Sequence, residues 1–108
     1  MTDAPQSPAS PTPDEIEVTD NPARNRYEAR IRDRILGFVD YTLDSDGGIV
    51  LDHTEVLPEA EGRGVGTSLA KYALEDVRAR GLRLTIDCPF IAAYVRRHRT
   101  EYADLVDG

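Results

Sequence analysis

The sequence contains a single cysteine and no long apolar run. Because Cys88 has no second cysteine to pair with, an internal disulfide is excluded, and stability does not depend on an oxidising compartment. The longest uninterrupted apolar run, residues 90–95, is far shorter than the ~20 residues that a membrane helix needs. The N-terminus has neither the basic region nor the apolar stretch of a secretory signal. We therefore expect a cytoplasmic protein that does not associate with membranes.

Basic residues are absent from the N-terminal part of the chain. The first 23 residues contain five acidic residues and no lysine or arginine, whereas the remaining 85 contain 15 acidic and 13 basic ones. Most of the net charge of −7 therefore belongs to the N-terminal end, and the rest of the chain is nearly neutral. A general nucleic-acid-binding protein is expected to have a basic stripe and a high pI. The pI of about 4.7 disfavours that class.

The length of 108 residues is that of one small domain. Proline, serine, alanine and threonine dominate residues 1–14, which contain almost no bulky apolar side chain. Such a segment cannot bury enough surface to offset the entropy of ordering it, so we predict a disordered tail followed by a domain over residues 15–108. The proline spacing is also compatible with a polyproline recognition motif, but without aromatic or basic flanks a solubilising tail is favoured.

Hydrophobic periodicity predicts four antiparallel strands joined by short connections. Their apolar positions lie near residues 16–18, 27–31, 35–43 and 49–56, with turns at residues 20–22 and 44–48.

The second half of the chain predicts a strand–helix–strand crossover. A helical period over residues 69–77 ends at Gly81, a natural left-handed stop, and a fifth strand follows over residues 82–86. A last short helix is predicted from about residue 90 to residue 97. Since such a crossover pairs its strands in parallel, the predicted fold class is α+β, a mixed sheet with helices packed on it.

A glycine-rich segment, Gly62-Arg63-Gly64-Val65-Gly66-Thr67-Ser68, joins the fourth strand to the main helix. Its alternate glycines allow positive φ and close approach of backbone N–H groups to a ligand. Donors at a helix N-terminus favour an anion, and phosphate is the obvious candidate. The segment is neither a P-loop nor a dinucleotide-binding fingerprint, because its spacing differs from both. The alternative is a flexible turn capped by Thr67 or Ser68.

This segment resembles the acetyl-CoA-binding motif of the GNAT N-acetyltransferase superfamily, which reads Gln/Arg-x-x-Gly-x-Gly/Ala at the same junction. Val56-Leu57-Pro58 and then Glu61-Gly62-Arg63-Gly64-Val65-Gly66 carry the match. The chain also resembles a subfamily of very short single-domain GNAT-like proteins, whose further segments are here His53-Thr54-Glu55-Val56, Cys88-Pro89-Phe90, Tyr94, His98 and Tyr102. The resemblance covers roughly residues 15–106. It implies a GNAT-like fold and transfer of an acetyl group from acetyl-CoA, without a metal, to a primary amine on a small molecule or a protein lysine.

The resemblance also assigns residues to the cofactor. The backbone of the glycine segment would hold the pyrophosphate, and the pantetheine arm would lie between the fourth and fifth strands. Glu61 replaces the usual Gln or Arg, which places an acid close to the phosphates. The implied cofactor-binding residues are Val56, Glu61, Gly62, Arg63, Gly64, Val65, Gly66, Thr67, Ser68 and Cys88.

Three residues are candidates for catalysis. Cys88 lies close to where the family places the thioester, so it either contacts the cofactor, fills an apolar gap or carries the acetyl group covalently. His53 has a suitable ordinary pKa for a general base, and the alternative is a buried structural histidine. Tyr94 is the nearest candidate for the acid that protonates the leaving thiolate, although its spacing is one residue short and a packing role is equally open.

Other sites and functions are less well supported. The segment after Asp44 begins like a calcium loop, but Ile49 stands where glycine is required, and no paired spacing indicates a zinc site. Because the chain is short for a complete acceptor pocket, a non-catalytic acyl-CoA-binding or sensing module is the alternative function, and an anion-binding interaction domain is a third. The sequence leaves the acceptor and the oligomeric state open.

Overall fold

The computed structural model describes residues 15–106, so the predicted tail at residues 1–14 and the last two residues lie outside the described part. The described residues form one five-stranded mixed sheet with helices packed on it, which confirms the predicted α+β class. The strands are β1 (Glu17–Asn21), β2 (Arg26–Ile31), β3 (Arg34–Leu43), β4 (Gly48–Val56) and β5 (Arg83–Ile86). The α-helices are α1 (Val65–Arg80), α2 (Pro89–Arg97) and α3 (Arg99–Val106), and a 3-10 turn covers Pro58–Ala60.

The strands lie in the sheet in the order in which they occur in the chain. β1 to β4 pair antiparallel, and β4 pairs parallel with β5 through the α1 crossover, as the periodicity predicts. The turn predicted at residues 20–22 lies at residues 22–25 instead, because β1 continues through Asn21. Proline has no N–H for the ladder, and Asn25 adopts the left-handed φ of 54° that asparagine tolerates.

Helix α3 is absent from the sequence-based prediction. It is only eight residues long, and its backbone is non-helical at Tyr102, where φ is −116°. A regular 3.6-residue period therefore does not develop over its length.

None of the helices in residues 15–106 is long and apolar enough to cross a membrane.

One face of the sheet packs on α1 and contains the core. Two tyrosines on this face combine apolar burial with a polar contact: Tyr27 donates to Asp76 on α1 at 2.8 Å, and Tyr41 donates to Asp20 on β1 at 2.6 Å. Burial, followed by the neighbouring carboxylate, raises the pKa of Tyr27 well above its usual value. Both hydroxyl groups therefore stay protonated and act as hydrogen-bond donors. The bond from Tyr27 connects the sheet to α1, and the bond from Tyr41 connects β3 to β1.

The opposite face of the sheet, called the open face below, is polar. Glu28 on β2 points to it and is only 2% exposed. Its carboxylate accepts hydrogen bonds from Asn21 Nδ2 at 3.1 Å, Arg26 Nε at 2.7 Å and Arg30 Nη2 at 2.8 Å. Burial raises the pKa of Glu28, but these three hydrogen bonds outweigh it and hold the pKa below its usual value. Paired charges therefore cover the open face at the centre of β2, and Arg26 also lies over the ring of Phe38 on the neighbouring strand.

β4 and β5 separate after four residue pairs. β5 pairs with β4 only as far as the Leu51–Ile86 pair, whereas β4 continues along β3 to Val56. Within β4 the register shifts, because Tyr41 pairs with Leu51 and Asp40 pairs with His53, which leaves Asp52 as the extra residue of a bulge. The fold therefore leaves a gap beside the second half of β4, where the glycine segment begins.

Candidate active site

The segment between β4 and α1 is fixed by local backbone bonds and by two glycines. The Glu61 amide donates to the Pro58 carbonyl at 3.3 Å, which closes the 3-10 turn. Gly62 and Gly64 follow with φ of 82° and 85°, in the left-handed region where other residues are strained. These glycines reverse the chain so that it enters α1 directly from the loop.

Helix α1 begins inside the glycine segment. Gly64 is its N-cap, with no side-chain cap, and the first helical bond runs from the Ser68 amide to the Gly64 carbonyl at 2.9 Å. The alternative of a turn capped by Thr67 or Ser68 is wrong, because both residues lie within α1. The N–H groups of residues 65–67 precede the first helical bond, so they are available donors at the positive end of the helix dipole.

A cleft of about 540 Å³ lies against these donors. Seven of the ten residues predicted to bind the cofactor line it, namely Val56, Glu61, Gly62, Gly64, Val65, Gly66 and Thr67. Thr54, Ala60 and Phe90 complete the lining. The lining contains no lysine or arginine, and its one charged side chain is that of Glu61. An anion in this cleft would therefore be held by backbone amides.

The three other predicted cofactor residues lie outside this lining. Arg63 lines a neighbouring cavity at the turn between β2 and β3, and Ser68 lines a third one beside β1. Cys88 follows β5 as the N-cap of α2 and is 2% exposed. Its amide donates to the Leu51 carbonyl at 3.1 Å, which holds it at the point where β4 and β5 separate.

Cys88 contacts the cleft through Thr54. The Thr54 Oγ1 and Cys88 Sγ atoms are 2.9 Å apart, so the two side chains close the inner end of the gap between β4 and β5. Sequence reasoning missed Thr54, because strict alternation from the buried Leu51 would place His53 on the helix-packed face. The bulge at Asp52 reverses that alternation, and Thr54 faces the helices instead.

Phe90 covers the third glycine of the segment. A Cβ atom at Gly66 would lie 2.7 Å from Phe90 Cζ, so the ring rests directly on the backbone of α1. Phe90 is 39% exposed although it is large and apolar. It forms an apolar wall between the first turns of α1 and α2. The Cys-Pro-Phe segment was the available sequence signal for this residue.

His53 lies on the open face and is not among the residues that line the cleft. Its Nε2 is 2.9 Å from Glu55 Oε1, and both side chains are more than half exposed. In the register of the sheet, His53 pairs with Asp40 of β3 and Glu55 pairs with Phe38. The alternate residues of β4, Thr54 and Val56, point to the other side and line the cleft. The structure therefore excludes the alternative of a buried histidine and places His53 with a carboxylate on the opposite side of the sheet.

Tyr94 lies within a cluster of aromatic side chains on α2 and α3. It follows Phe90 by one helical turn but does not line the cleft, and it is 5% exposed. Its ring stacks on His98 at 4.2 Å between centroids and lies 5.9 Å from the ring of Tyr102. These contacts give Tyr94 a packing role in the structure.

Within residues 15–106, no group of three or more histidine, cysteine, aspartate or glutamate side chains is arranged to hold a metal ion.

Comparison with known families finds a match to the GCN5-related N-acetyl-transferase model over residues 26–105. That span runs from the start of β2 into α3, so it includes the glycine segment, the cleft and Cys88. No curated protein matches the chain. The family match supports acyltransferase activity in general. Together with the mixed sheet and its strand–helix–strand crossover, it shows that this chain belongs to the GCN5-related N-acetyltransferase family.

Proposed function

We propose that this protein is an acetyl-CoA-dependent N-acetyltransferase of the short single-domain type and that it acetylates a primary amine. The observation that carries the proposal is the cleft beside the N-terminus of α1. There, the free amides of residues 65–67 lie next to a gap between β4 and β5 that ends at Thr54 and Cys88. A cosubstrate with a phosphate group and a narrow arm that ends in a thioester fits this arrangement. Its phosphate would contact the amides, and its arm would enter the gap between the strands.

The residues present fit the pyrophosphate of coenzyme A. Gly62 has open space around its Cα, since no heavy atom lies within 4 Å of a Cβ built there, so a phosphate can approach the backbone closely. The amides at the start of α1 donate toward the same cleft. Glu61 lines it as well and repels a phosphate, so it weakens binding relative to a glutamine at this position.

The inner half of the cleft fits the pantetheine arm. Val56 and Phe90 supply apolar walls, and Thr54 supplies a hydroxyl at the end near Cys88. Acetyl-CoA supplies a thioester whose carbonyl carbon is activated toward a nucleophile. Cys88 is almost fully buried and in contact with Thr54, so we assign it a contact at the thioester rather than a covalent role.

The amine must lose a proton as its nitrogen bonds to the acetyl carbon and the carbon–sulfur bond breaks. We assign this proton to His53. With Nε2–H donating to Glu55, the Nδ1 atom of the neutral ring is free to accept it. The acceptor then approaches from the open face, and Glu55 orients the ring. Tyr94 as donor to the leaving thiolate stays a prediction, which requires its hydroxyl to reach the gap.

A non-catalytic acyl-CoA-binding module is the second candidate. The observation that favours it is the short connection between β1 and β2, which covers only residues 22–25. Nothing in this connection builds a wall for an acceptor pocket, and His53 and Glu55 are open to solvent. Such a module would bind acetyl-CoA in the same cleft without turning it over.

Release of the CoA thiol from acetyl-CoA distinguishes the two candidates. The full chain is assayed with a small primary amine, a polyamine and a lysine-containing peptide, and direct binding of acetyl-CoA is measured in parallel. The proposal predicts thiol release that requires one of these amines. It also predicts that His53→Gln lowers kcat by about 100-fold or more while the Kd for acetyl-CoA is unchanged.

His98→Gln is the matched control, because His98 is the other histidine, stacks on Tyr94 and does not line the cleft. Turnover in this variant should be retained. Binding without thiol release for any amine would support the module instead. Absence of acetyl-CoA binding would contradict both candidates.

A further inference from the structure

A second and larger cavity adjoins the candidate active site. It has a volume of about 720 Å³ and lies between the turn that joins β2 to β3 and the segment that leads into the glycine loop. Three arginines line it, Arg32, Arg34 and Arg63, together with the carboxylates of Asp33 and Glu59. The function proposed above makes no use of this cavity.

The two cavities meet at the glycine segment. Ala60 lines both of them. Gly62 and Gly64 line the first cavity, whereas Arg63 between them lines the second. Because consecutive Cα atoms are about 3.8 Å apart, the second cavity begins within one residue of the proposed pyrophosphate site. A ligand held at the loop amides can therefore extend into it.

Two of the three arginines are available to a ligand. Arg34 forms an ion pair with Glu59, which neutralises that carboxylate. Arg32 and Arg63 make no side-chain hydrogen bond or ion pair with any residue in the described range 15–106, and both are exposed. Asp33 offsets one of these charges, so the lining retains a net positive charge. The guanidinium groups are suited to phosphate, which they bind through paired N–H donors.

The first cleft has no such cation. Coenzyme A carries a pyrophosphate and, on its ribose, a separate 3′-phosphate. The loop amides account for the pyrophosphate, but the first cleft offers no lysine or arginine to the 3′-phosphate and adds the negative charge of Glu61. The arginine that lies within the loop itself, Arg63, lines the second cavity together with Arg32 and Arg34.

From these observations we infer that the second cavity binds the 3′-phosphate of coenzyme A through Arg32 and Arg63. The cavity thereby selects a 3′-phosphorylated adenosine nucleotide over one that lacks this phosphate. This inference rests on the proposed function, since it requires coenzyme A to bind at the glycine segment.

A competing group of cations lies at the other end of α2. Arg96, Arg97 and Arg99 are exposed there and could also reach a phosphate. Arg97 is seven residues beyond Phe90, or about 10 Å along the helix axis. It therefore serves as the matched control for removal of a surface arginine.

The experiment compares the Kd of coenzyme A with that of dephospho-coenzyme A by calorimetry on the full chain. Arg63→Gln removes a charge from an exposed loop position. Arg32→Asn removes one at a residue with φ of 56°, a conformation that asparagine tolerates, so both variants should fold. The wild-type protein should bind coenzyme A about tenfold more tightly than dephospho-coenzyme A.

Each variant should bind coenzyme A about three- to tenfold more weakly and bind dephospho-coenzyme A unchanged, and Arg97→Gln should retain the wild-type ratio. The inference would be overturned if the ratio of the Kd of dephospho-coenzyme A to that of coenzyme A were unchanged in both Arg32→Asn and Arg63→Gln. It would also be overturned if this ratio fell to about one in Arg97→Gln. Equal weakening of both ligands would assign the arginines to the pyrophosphate and would also overturn it. If neither ligand bound the wild-type chain, the proposed function itself would fail.

Discussion

At the scale of single residues, two fully buried tyrosines differ in what their hydroxyl groups contact. Tyr27 donates to Asp76 at 2.8 Å, whereas no hydrogen bond of normal geometry reaches the buried Tyr102 hydroxyl among residues 15–106. Burial, and then the neighbouring Tyr94 side chain, raise the pKa of Tyr102, so any contact between these two hydroxyls is a poorly formed one. A buried hydroxyl without a partner loses its hydrogen bonds to water on folding, which costs about 1–3 kcal/mol. The aromatic ring of Tyr102 contributes to the packing of α3, but its hydroxyl does not.

This difference predicts opposite effects of removing the two oxygens. Tyr102→Phe should raise the free energy of unfolding by about 1 kcal/mol, or the Tm by about 4–8 °C, whereas Tyr27→Phe should lower it by a similar amount. Thermal unfolding of the full chain followed by circular dichroism measures both. A loss of stability in Tyr102→Phe equal to that in Tyr27→Phe would mean that the Tyr102 hydroxyl has a partner in the folded protein.

The exposure of His53 was also beyond sequence reasoning. The sequence left two roles open for His53, a general base and a buried structural histidine. Strict alternation along β4 would put His53 on the buried face of Ile49 and Leu51, but the bulge at Asp52 moves it to the other face. A bulge depends on pairing with β3, which a single strand does not encode. The same reversal explains why Thr54, and not His53, contacts Cys88.

At the scale of elements, the start of α1 depends on glycines for two separate reasons. Gly62 needs its left-handed backbone and, in the proposed function, leaves room for a phosphate. Gly47, in the turn between β3 and β4, has a similar φ of 87° and the same open space around it. Substitutions at these two glycines should therefore cause similar backbone strain, whereas only a substitution at Gly62 should obstruct the ligand.

Gly62→Ala and Gly47→Ala should each lower the free energy of unfolding by about 1–2 kcal/mol, because alanine is strained in this conformation. Only Gly62→Ala should also weaken binding, raising the Kd of acetyl-CoA by at least about tenfold, since its methyl group occupies the space that the phosphate needs. Unfolding curves and calorimetric titrations of the two variants measure both effects. Equal affinity in the two variants would count against the loop assignment.

Most elements follow from the sequence, because their signals are local. Apolar alternation identifies all five strands, and the helical period identifies α1 and its end at Gly81, whose φ is 66°. The start of α1 at Val65 is not visible, because the glycines that build the loop conceal the beginning of the helical pattern. Helix α3 is missed because it is short and is kinked at Tyr102.

At the scale of the whole molecule, the glycine pattern predicts an anion site but not its charge environment. The cleft contains amides, one carboxylate and no cation, while the arginines lie in the next cavity. The arginines and the amides lie in separate cavities because the β2–β3 turn packs next to the segment after β4. These two segments are distant in sequence. Their packing follows from the sheet topology, and no local sequence pattern reports it.

The central claim is that acetyl-CoA binds in the cleft between the glycine segment and the end of β5. The most direct measurement is a titration of the ¹⁵N-labelled full chain with acetyl-CoA, followed by the chemical shifts of the backbone amides. The largest changes should occur at Gly62, at residues 64–67 and at Cys88, with little change at the β1–β2 turn, residues 22–25. An absence of shift changes, or changes confined to residues outside the cleft, would contradict the claim.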